Sequence, residues 1–222
     1  MGIQIQFASK TASILMHRFM NWRAQGLMER IAPLLHPGAT ILDVGCGTGH
    51  NGENLHHQGF GPVTTADVVD FTVIGPRPTL FDGQVLPFED RNFDIVTLIY
   101  VLQYARRPVA LLKETRRVCR NAVIIIQTVC EGRTGAGFYR VNEFVARLGF
   151  YAARTLRAIS PVTCPLGSER NLSRKEILEM ALQAGLAPQV LRAERHIHLP
   201  GLTRIISKLE PMESPGHEQD GE

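Results

Sequence analysis

Ile41-Leu42-Asp43-Val44-Gly45-Cys46-Gly47-Thr48-Gly49 is the stretch that decides the fold. A short run of apolar and β-branched residues, from Thr40 to Val44, ends abruptly in three alternating glycines. The run reads as a buried strand and the glycines as its turn into a helix reaching about Gln58, where a doubly wound sheet holds nucleotide-like ligands. Glycines let the backbone approach such a ligand, and the helix that follows offers free N–H groups. A dinucleotide fingerprint needs a third glycine at position 50, which is His50 here. Asp43 also stands inside the strand, where a pyrophosphate would be repelled and a cationic ligand attracted. The charge pattern therefore favours an adenosine-like ligand that carries a positive charge.

Outward from this loop, strands and helices alternate. Pro62 to Asp67, Thr79 to Asp82, Phe93 to Ile99 and Ala122 to Thr128 read as strands. Pro108 to Val118 reads as a helix with proline in its first turn. The last of these strands, with Val123-Ile124-Ile125-Ile126, is apolar on both faces, as in a parallel sheet covered on both sides. Ser9 to Leu35 has helical periodicity and stops at Pro37-Gly38. Phe138 to Ile159 reads as an amphipathic helix and Ser160 to Arg170 as a loop. Ser173 to Glu176 is a capping box opening a helix that ends near Gly185. Ala187 to His196 and Thr203 to Leu209 read as two final strands, and the polar tail from Glu210 as disordered. The expected architecture is a Rossmann-like, doubly wound, mostly parallel seven-stranded α/β sheet. It forms one domain over residues 1–209, with a helical cap at 1–38 and a variable lid at 131–170.

Composition agrees with one globular domain of 222 residues, 44% hydrophobic and 20% charged, and the net charge of +3 is too small to suggest nucleic acid. Four cysteines, at 46, 119, 130 and 164, show no metal-ligand spacing, so no metal and a reduced, cytoplasmic setting are expected. No apolar run has the length of a membrane span.

Asp43-Val44-Gly45-Cys46-Gly47-Thr48-Gly49 resembles the first motif of class I S-adenosylmethionine-dependent methyltransferases, and the likeness extends over about two-thirds of the chain. It runs through Asp67, Asp82-Gly83-Gln84-Val85-Leu86-Pro87-Phe88, Asn92-Phe93-Asp94-Ile95-Val96, and Arg116-Arg117-Val118 with the strand after it. Small-molecule members of the type 11 kind are the nearest in pattern. The resemblance implies S-adenosylmethionine as methyl donor and a cofactor site made of Asp43, Gly45, Cys46, Gly47, Gly49, Asp67, Val68, Asp82, Gly83, Ile99 and Tyr100. Within it Asp67 would hold the ribose hydroxyls, Asp82 the adenine amino group and Gly83 the ring. The last strand is expected to be antiparallel, as in the family.

Two departures stand out. Only fifteen residues separate Asp67 from Asp82, and Gly75-Pro76-Arg77-Pro78 interrupts them, so the family's helix there shrinks to a loop. Gln103-Tyr104 replaces a His pair common in small-molecule members, so no general base carries over; the Asn/Asp-Pro-Pro-aromatic element of nucleic-acid amino-methyltransferases is missing too. His50, His56, His57, Tyr100, Tyr104, Glu131 and His196 are the candidates for a proton acceptor, and none is singled out. Arg140, Arg147 and Arg154 recur every seven residues and Arg133 precedes them in step. They mark either a solvated face of the 138–159 helix or a lid that meets an anionic acceptor or membrane headgroups. The acceptor is expected to be a small molecule, apolar or lipid-like, with no nucleic acid partner. A nicotinamide-dependent oxidoreductase is disfavoured by Asp43 and His50. A methyltransferase-like module that binds without turnover stays open.

Overall fold

The computed structural model describes residues 10–130, 172–195 and 202–212. A seven-stranded sheet has the order β3-β2-β1-β4-β5-β7-β6. Its elements are α1 (Lys10–Ile31), β1 (Ile41–Val44), α2 (His50–His57), β2 (Val63–Asp67), β3 (Thr79–Leu80), β4 (Phe93–Ile99), α3 (Pro108–Val118), β5 (Cys119–Cys130), α4 (Arg174–Gln183), β6 (Leu186–Arg195) and β7 (Leu202–Pro211). The first five strands are mutually parallel, and β7 enters antiparallel between β5 and β6. The strand order reverses at β1, whose neighbours are β2 and β4, so the crevice at their carboxyl ends is the switch point of the sheet.

Alternation along the strands divides the core into two layers. Leu42, Val44, Val96, Leu98, Val123 and Ile125 face α3 and α4 with Leu111, Leu112, Ile177 and Ala181. Ile41, Ile95, Ile99, Ile124, Ile126 and Ile206 face α1 through Leu27, Met28 and Ile31. At roughly 25 cal/mol per Å² of apolar surface, each such fully buried side chain contributes about 1.5–3 kcal/mol.

Several boundaries differ from the sequence reading. The strand expected at 122–128 extends to Cys119–Cys130, because β7 pairs along it from Val123 to Cys130. The third strand shrinks to Thr79–Leu80: Phe81 N–H still donates to the Asp67 carbonyl, but Asp82 folds its carboxylate onto the next turn. The first helix ends at Ile31, where a short 3-10 turn over Ala32–Leu34 begins at a proline. β7 keeps Glu210 and Pro211 in the sheet, opposite Ala187 and Leu186, so no tail begins at Glu210. The capping box forms as read: Glu176 N–H donates to Ser173 Oγ, and Ser173 N–H to Glu176 Oε2 at 2.7 Å. The expected 138–159 helix, the 160–170 loop, Glu131, Arg133, the arginine stripe and His196 lie outside the described residues. Among the described residues no helix is long and apolar enough to cross a membrane.

Candidate active site

A cavity of about 450 Å³ opens at the switch point, within the range of small-molecule cofactor sites. Its floor is Val44, Gly45 and Gly47 from the first strand and its glycine turn; Asp67, Val68 and Phe71 follow β2. Phe81, Asp82, Gly83 and Gln84 follow β3, and Tyr100, Val101 and Tyr104 follow β4. Ala105, Arg106, Arg107 and Leu111 complete the rim.

Two glycines of the loop do different work. Gly47 has φ +54°, and a Cβ built there meets nothing within 4 Å, so its backbone stands against open space at the cavity wall. Its N–H donates to Asp67 Oδ2 at 2.8 Å, which ties the glycine turn to the end of β2. Gly49 has φ +86° and caps α2, and a Cβ there would stand 2.1 Å from the Ile74 carbonyl oxygen. That contact is the seat of the short 68–78 connection, whose Val73 N–H also donates to the Thr48 carbonyl.

The short connection explains how the pocket keeps its wall without the family's helix. Asp70, 7% exposed, pairs with Arg77 and with Thr72, bracing the loop from within. Hydrogen bonds from Thr72 and Arg77 hold its carboxyl below the usual range despite burial. The loop then presents Phe71 to the cavity, opposite Phe81.

Asp67 is 6% exposed, and burial raises its carboxyl above the usual range, although N–H donors from Gly47, Val69 and Val68 work against that rise. Val68 N–H approaches Oδ1 at 2.7 Å. A carboxylate offers about four lone-pair positions, so one remains for a ligand hydroxyl. Asp82 is exposed at the rim: Gln84 and Val85 N–H both donate to its Oδ1 at 2.8 Å, which lowers its carboxyl and leaves Oδ2 for a ligand amino group.

Seven of the eleven residues expected at the cofactor site, Gly45, Gly47, Asp67, Val68, Asp82, Gly83 and Tyr100, line this cavity. Asp43, Cys46, Gly49 and Ile99 do not. Asp43 is 1% exposed and shares a face with Ile41, so its carboxylate turns beneath α2 rather than into the crevice. It lies in register between Thr65 and Thr97, takes the Thr97 hydroxyl at 2.8 Å, and leaves Oδ2 without a partner. Burial pushes its carboxyl up to about 7. Cys46, 4% exposed, is raised far out of the titrating range by burial and by Asp43 and Asp67. Ile99 packs under α1, and Gly49 is closed off by Ile74.

The proton-acceptor candidates separate as sharply. His50 is 4% exposed with both ring nitrogens engaged, Nδ1 to Thr48 Oγ1 at 2.9 Å and Nε2 to His17 Nδ1 at 3.0 Å. Burial and the neighbouring His17 lower its pKa. His56 and His57 lie on the exposed side of α2, His57 against Glu53 at 3.0 Å. Tyr100 and Tyr104 alone among the described candidates reach the cavity.

The remaining motif positions turn out to be scaffold. Asp94 Oδ2 accepts from Thr40 N–H at 2.9 Å and from its hydroxyl at 2.7 Å, stapling the start of β4 to β1. Arg117 reaches the carbonyls of Leu86 and Phe88, Asp90 and Glu114, while Glu114 accepts from Leu86 N–H at 3.0 Å. The Leu86-Pro87-Phe88 run is thereby fixed behind the Asp82 rim of the cavity. Phe71, Phe81, Gln84, Arg106 and Arg107 were not foreseen, since cavity lining by loop residues leaves no period or spacing to read.

Residues 16–199 match the family described as a methyltransferase domain. The chain belongs to that family, the class I S-adenosylmethionine-dependent methyltransferases. It is 29% identical over 122 residues to the ubiquinone/menaquinone biosynthesis C-methyltransferase UbiE of Roseobacter denitrificans, an alignment over 49% of this chain and 47% of that protein. The chain thus spans about half the length of this curated relative. Among solved structures, the [4+2]-cyclase SpnF superposes with a TM-score of 0.61 at 14% identity, over 86% of this chain and 81% of that one. A SAM-dependent methyltransferase from Methanosarcina mazei superposes with a TM-score of 0.56 at 15% identity, over 83% and 97%. At such identity these two show the fold alone.

Proposed function

We propose that the chain transfers the methyl group of S-adenosylmethionine to a small organic acceptor. The observation that carries this reading is the join of Gly47, Asp67 and Asp82 around one cavity, with the glycine facing open space and each carboxylate keeping a lone-pair position for a ligand. The bound donor supplies a methyl group already activated by its sulfonium. The chain's own residues then position and shield. Asp67 and Val68 would fix the ribose, Asp82 and Gly83 the adenine, and Phe71 and Phe81 would exclude water beside them. Holding the reactants in line contributes on the order of 7–11 kcal/mol to the rate, so positioning suffices without a metal.

Residues 1–209 would serve as one catalytic domain, with 131–170 as the lid over a small, apolar or lipid-like acceptor. A cytoplasmic setting, and peripheral membrane contact through 138–159, belong to the same reading. The relative named as a quinone-biosynthesis C-methyltransferase supports an acceptor of that size. A second reading, donor binding without methyl transfer, has its own support in the cyclase that shares this fold.

Titration calorimetry tests the donor site, using S-adenosylhomocysteine, NADH and an Asp67→Ala variant. Binding of the first ligand only, weakened at least about tenfold in the variant, is expected; about 1.4 kcal/mol corresponds to that factor. Binding of NADH in preference would overturn the assignment. Formation of S-adenosylhomocysteine with any acceptor would set aside the second reading.

A further inference from the structure

Tyr100 is the only described candidate at the cavity with a non-glycine backbone in the left-handed region, at φ +58°. Such a conformation costs on the order of 1–3 kcal/mol and persists only where the surroundings impose it. Here they do so from three elements. Tyr100 N–H donates to the Ile126 carbonyl of β5 at 2.8 Å. Arg204 Nε, from β7, donates to the phenolic oxygen at 2.9 Å. The Arg23 guanidinium, from α1, lies 4.9 Å from the ring centroid.

The polarity of this arrangement is informative. With its oxygen already accepting from Arg204, the phenol keeps its proton to give away, and among the described residues no acceptor takes it. Among the described residues the neighbouring charge is unbalanced as well. Glu194 pairs with Arg30 at 2.8 Å and is shared with Arg204 at 3.6 Å, so two guanidinium groups share one carboxylate, and Arg23 adds a third beside the ring. The Arg204 side chain is only 17% exposed, which makes its charge effective at short range. A charge-assisted donor beside the cavity is the arrangement that binds an oxyanion.

We propose that Tyr100, polarised by Arg204 and Arg23, anchors an anionic oxygen of the methyl acceptor, so that the substrate is a phenol, enol or acid bound as its anion. This rests on the methyltransferase reading and narrows it. It also accounts for the lack of a histidine at the cavity among the described residues, since an acceptor that arrives as its anion has already released its proton to solvent. Arg204 is then a positioning residue, acting through the phenol.

The test uses 4-nitrophenol, whose anion absorbs separately from its neutral form, with the full chain saturated by S-adenosylhomocysteine. The bound probe should be enriched in its anion at least about tenfold over free probe at the same pH. Tyr100→Phe and Arg204→Gln should remove the enrichment, while Arg204→Lys should restore part of it. Affinity for S-adenosylhomocysteine, measured in parallel, should stay unchanged in the two Arg204 variants. Absence of enrichment in the wild type, whether the probe stays in solution or binds neutral, overturns the anchor. Enrichment that survives Arg204→Gln overturns the role of Arg204. A wild type that does not bind S-adenosylhomocysteine refutes the donor reading instead, so the two failures are distinct.

Discussion

Replacing Gly47 and Gly49 separately by alanine should divide ligand binding from folding. Both residues have left-handed backbones, which cost an alanine about 1–2 kcal/mol. For Gly47→Ala that is the whole structural cost, because the added methyl meets no atom within 4 Å. In a chain of this length about 1 kcal/mol moves Tm by about 2–4 °C, so a fall of about 2–8 °C is expected. The methyl does, however, enter the space where the donor would lie. For Gly49→Ala the methyl would stand 2.1 Å from the Ile74 carbonyl oxygen and 2.9 Å from Thr72 Cγ2. Backbone cannot step aside as a flexible side chain can, so overpacking adds about 1–3 kcal/mol and the 68–78 connection must lift. Thermal unfolding with and without S-adenosylhomocysteine reads both effects. At a hundredfold excess over Kd a ligand stabilises the wild type by about 2.7 kcal/mol. Gly47→Ala should unfold within a few degrees of wild type and lose most of that increment, whereas Gly49→Ala should lose about twice as much intrinsic stability. A Gly47→Ala protein that keeps the full ligand increment would refute the placement of the donor against this backbone.

Three further outcomes follow from the geometry. Asp43 has its carboxyl raised by burial from 3.8 to about 7. The folded state therefore binds more protons between those values, and the stability gained at low pH is lost as pH rises through about 7. Asp43→Asn removes this loss, so its stability relative to wild type, read by denaturant unfolding, should be greater at pH 8 than at pH 4, by up to about 4 kcal/mol at about 1.4 kcal/mol per pH unit; equal differences at both pH values would contradict it. Arg117→Met frees the carbonyls of Leu86 and Phe88 and the Glu114 carboxylate, and denaturant unfolding should show a loss of about 2–3 kcal/mol. Ser173→Ala removes the cap of α4, and the same measurement should show a loss of about 1 kcal/mol, with donor affinity unchanged.

The sheet was legible because its signals are local. Strand β4 has the expected bounds of Phe93–Ile99 since six of its seven residues are apolar or β-branched, and the capping box at Ser173 needs only four residues to specify itself. Residues at the ends of strands were legible as a site because a doubly wound sheet brings them together whatever lies between. Asp43 stands away from the cavity lining for an equally local reason. A carboxylate two residues before a glycine looks adjacent to the ligand along the chain, yet strand alternation turns it to the other side, into a row with Thr65 and Thr97. Arg204 and Arg23 were beyond reach altogether, since the contact that gives them a role joins α1, β4 and β7 across 104 positions between Tyr100 and Arg204.

The placement of the acidic groups bears on rate as well as on binding. The donor enters as a cation and leaves as a neutral thioether, so any carboxylate close to the sulfonium stabilises the reactant more than the transition state and slows transfer. On this reading the buried Asp43 and Asp67 carboxylates lie away from that position. Asp43 lies beneath α2, at about 3.8 Å from where a Gly52 side chain would begin, and Asp67 has its oxygens tied to the Gly47 and Val68 N–H groups at the ribose end. On the side of the cavity beyond β4 the described charges are arginines with one shared carboxylate, Glu194, and an anionic acceptor held there, as proposed, gains from the arginines until its charge is cancelled by the methyl it receives. On the proposed reading the acidic residues serve affinity at a distance from the reacting atoms, and the cationic cluster governs which acceptor can approach them.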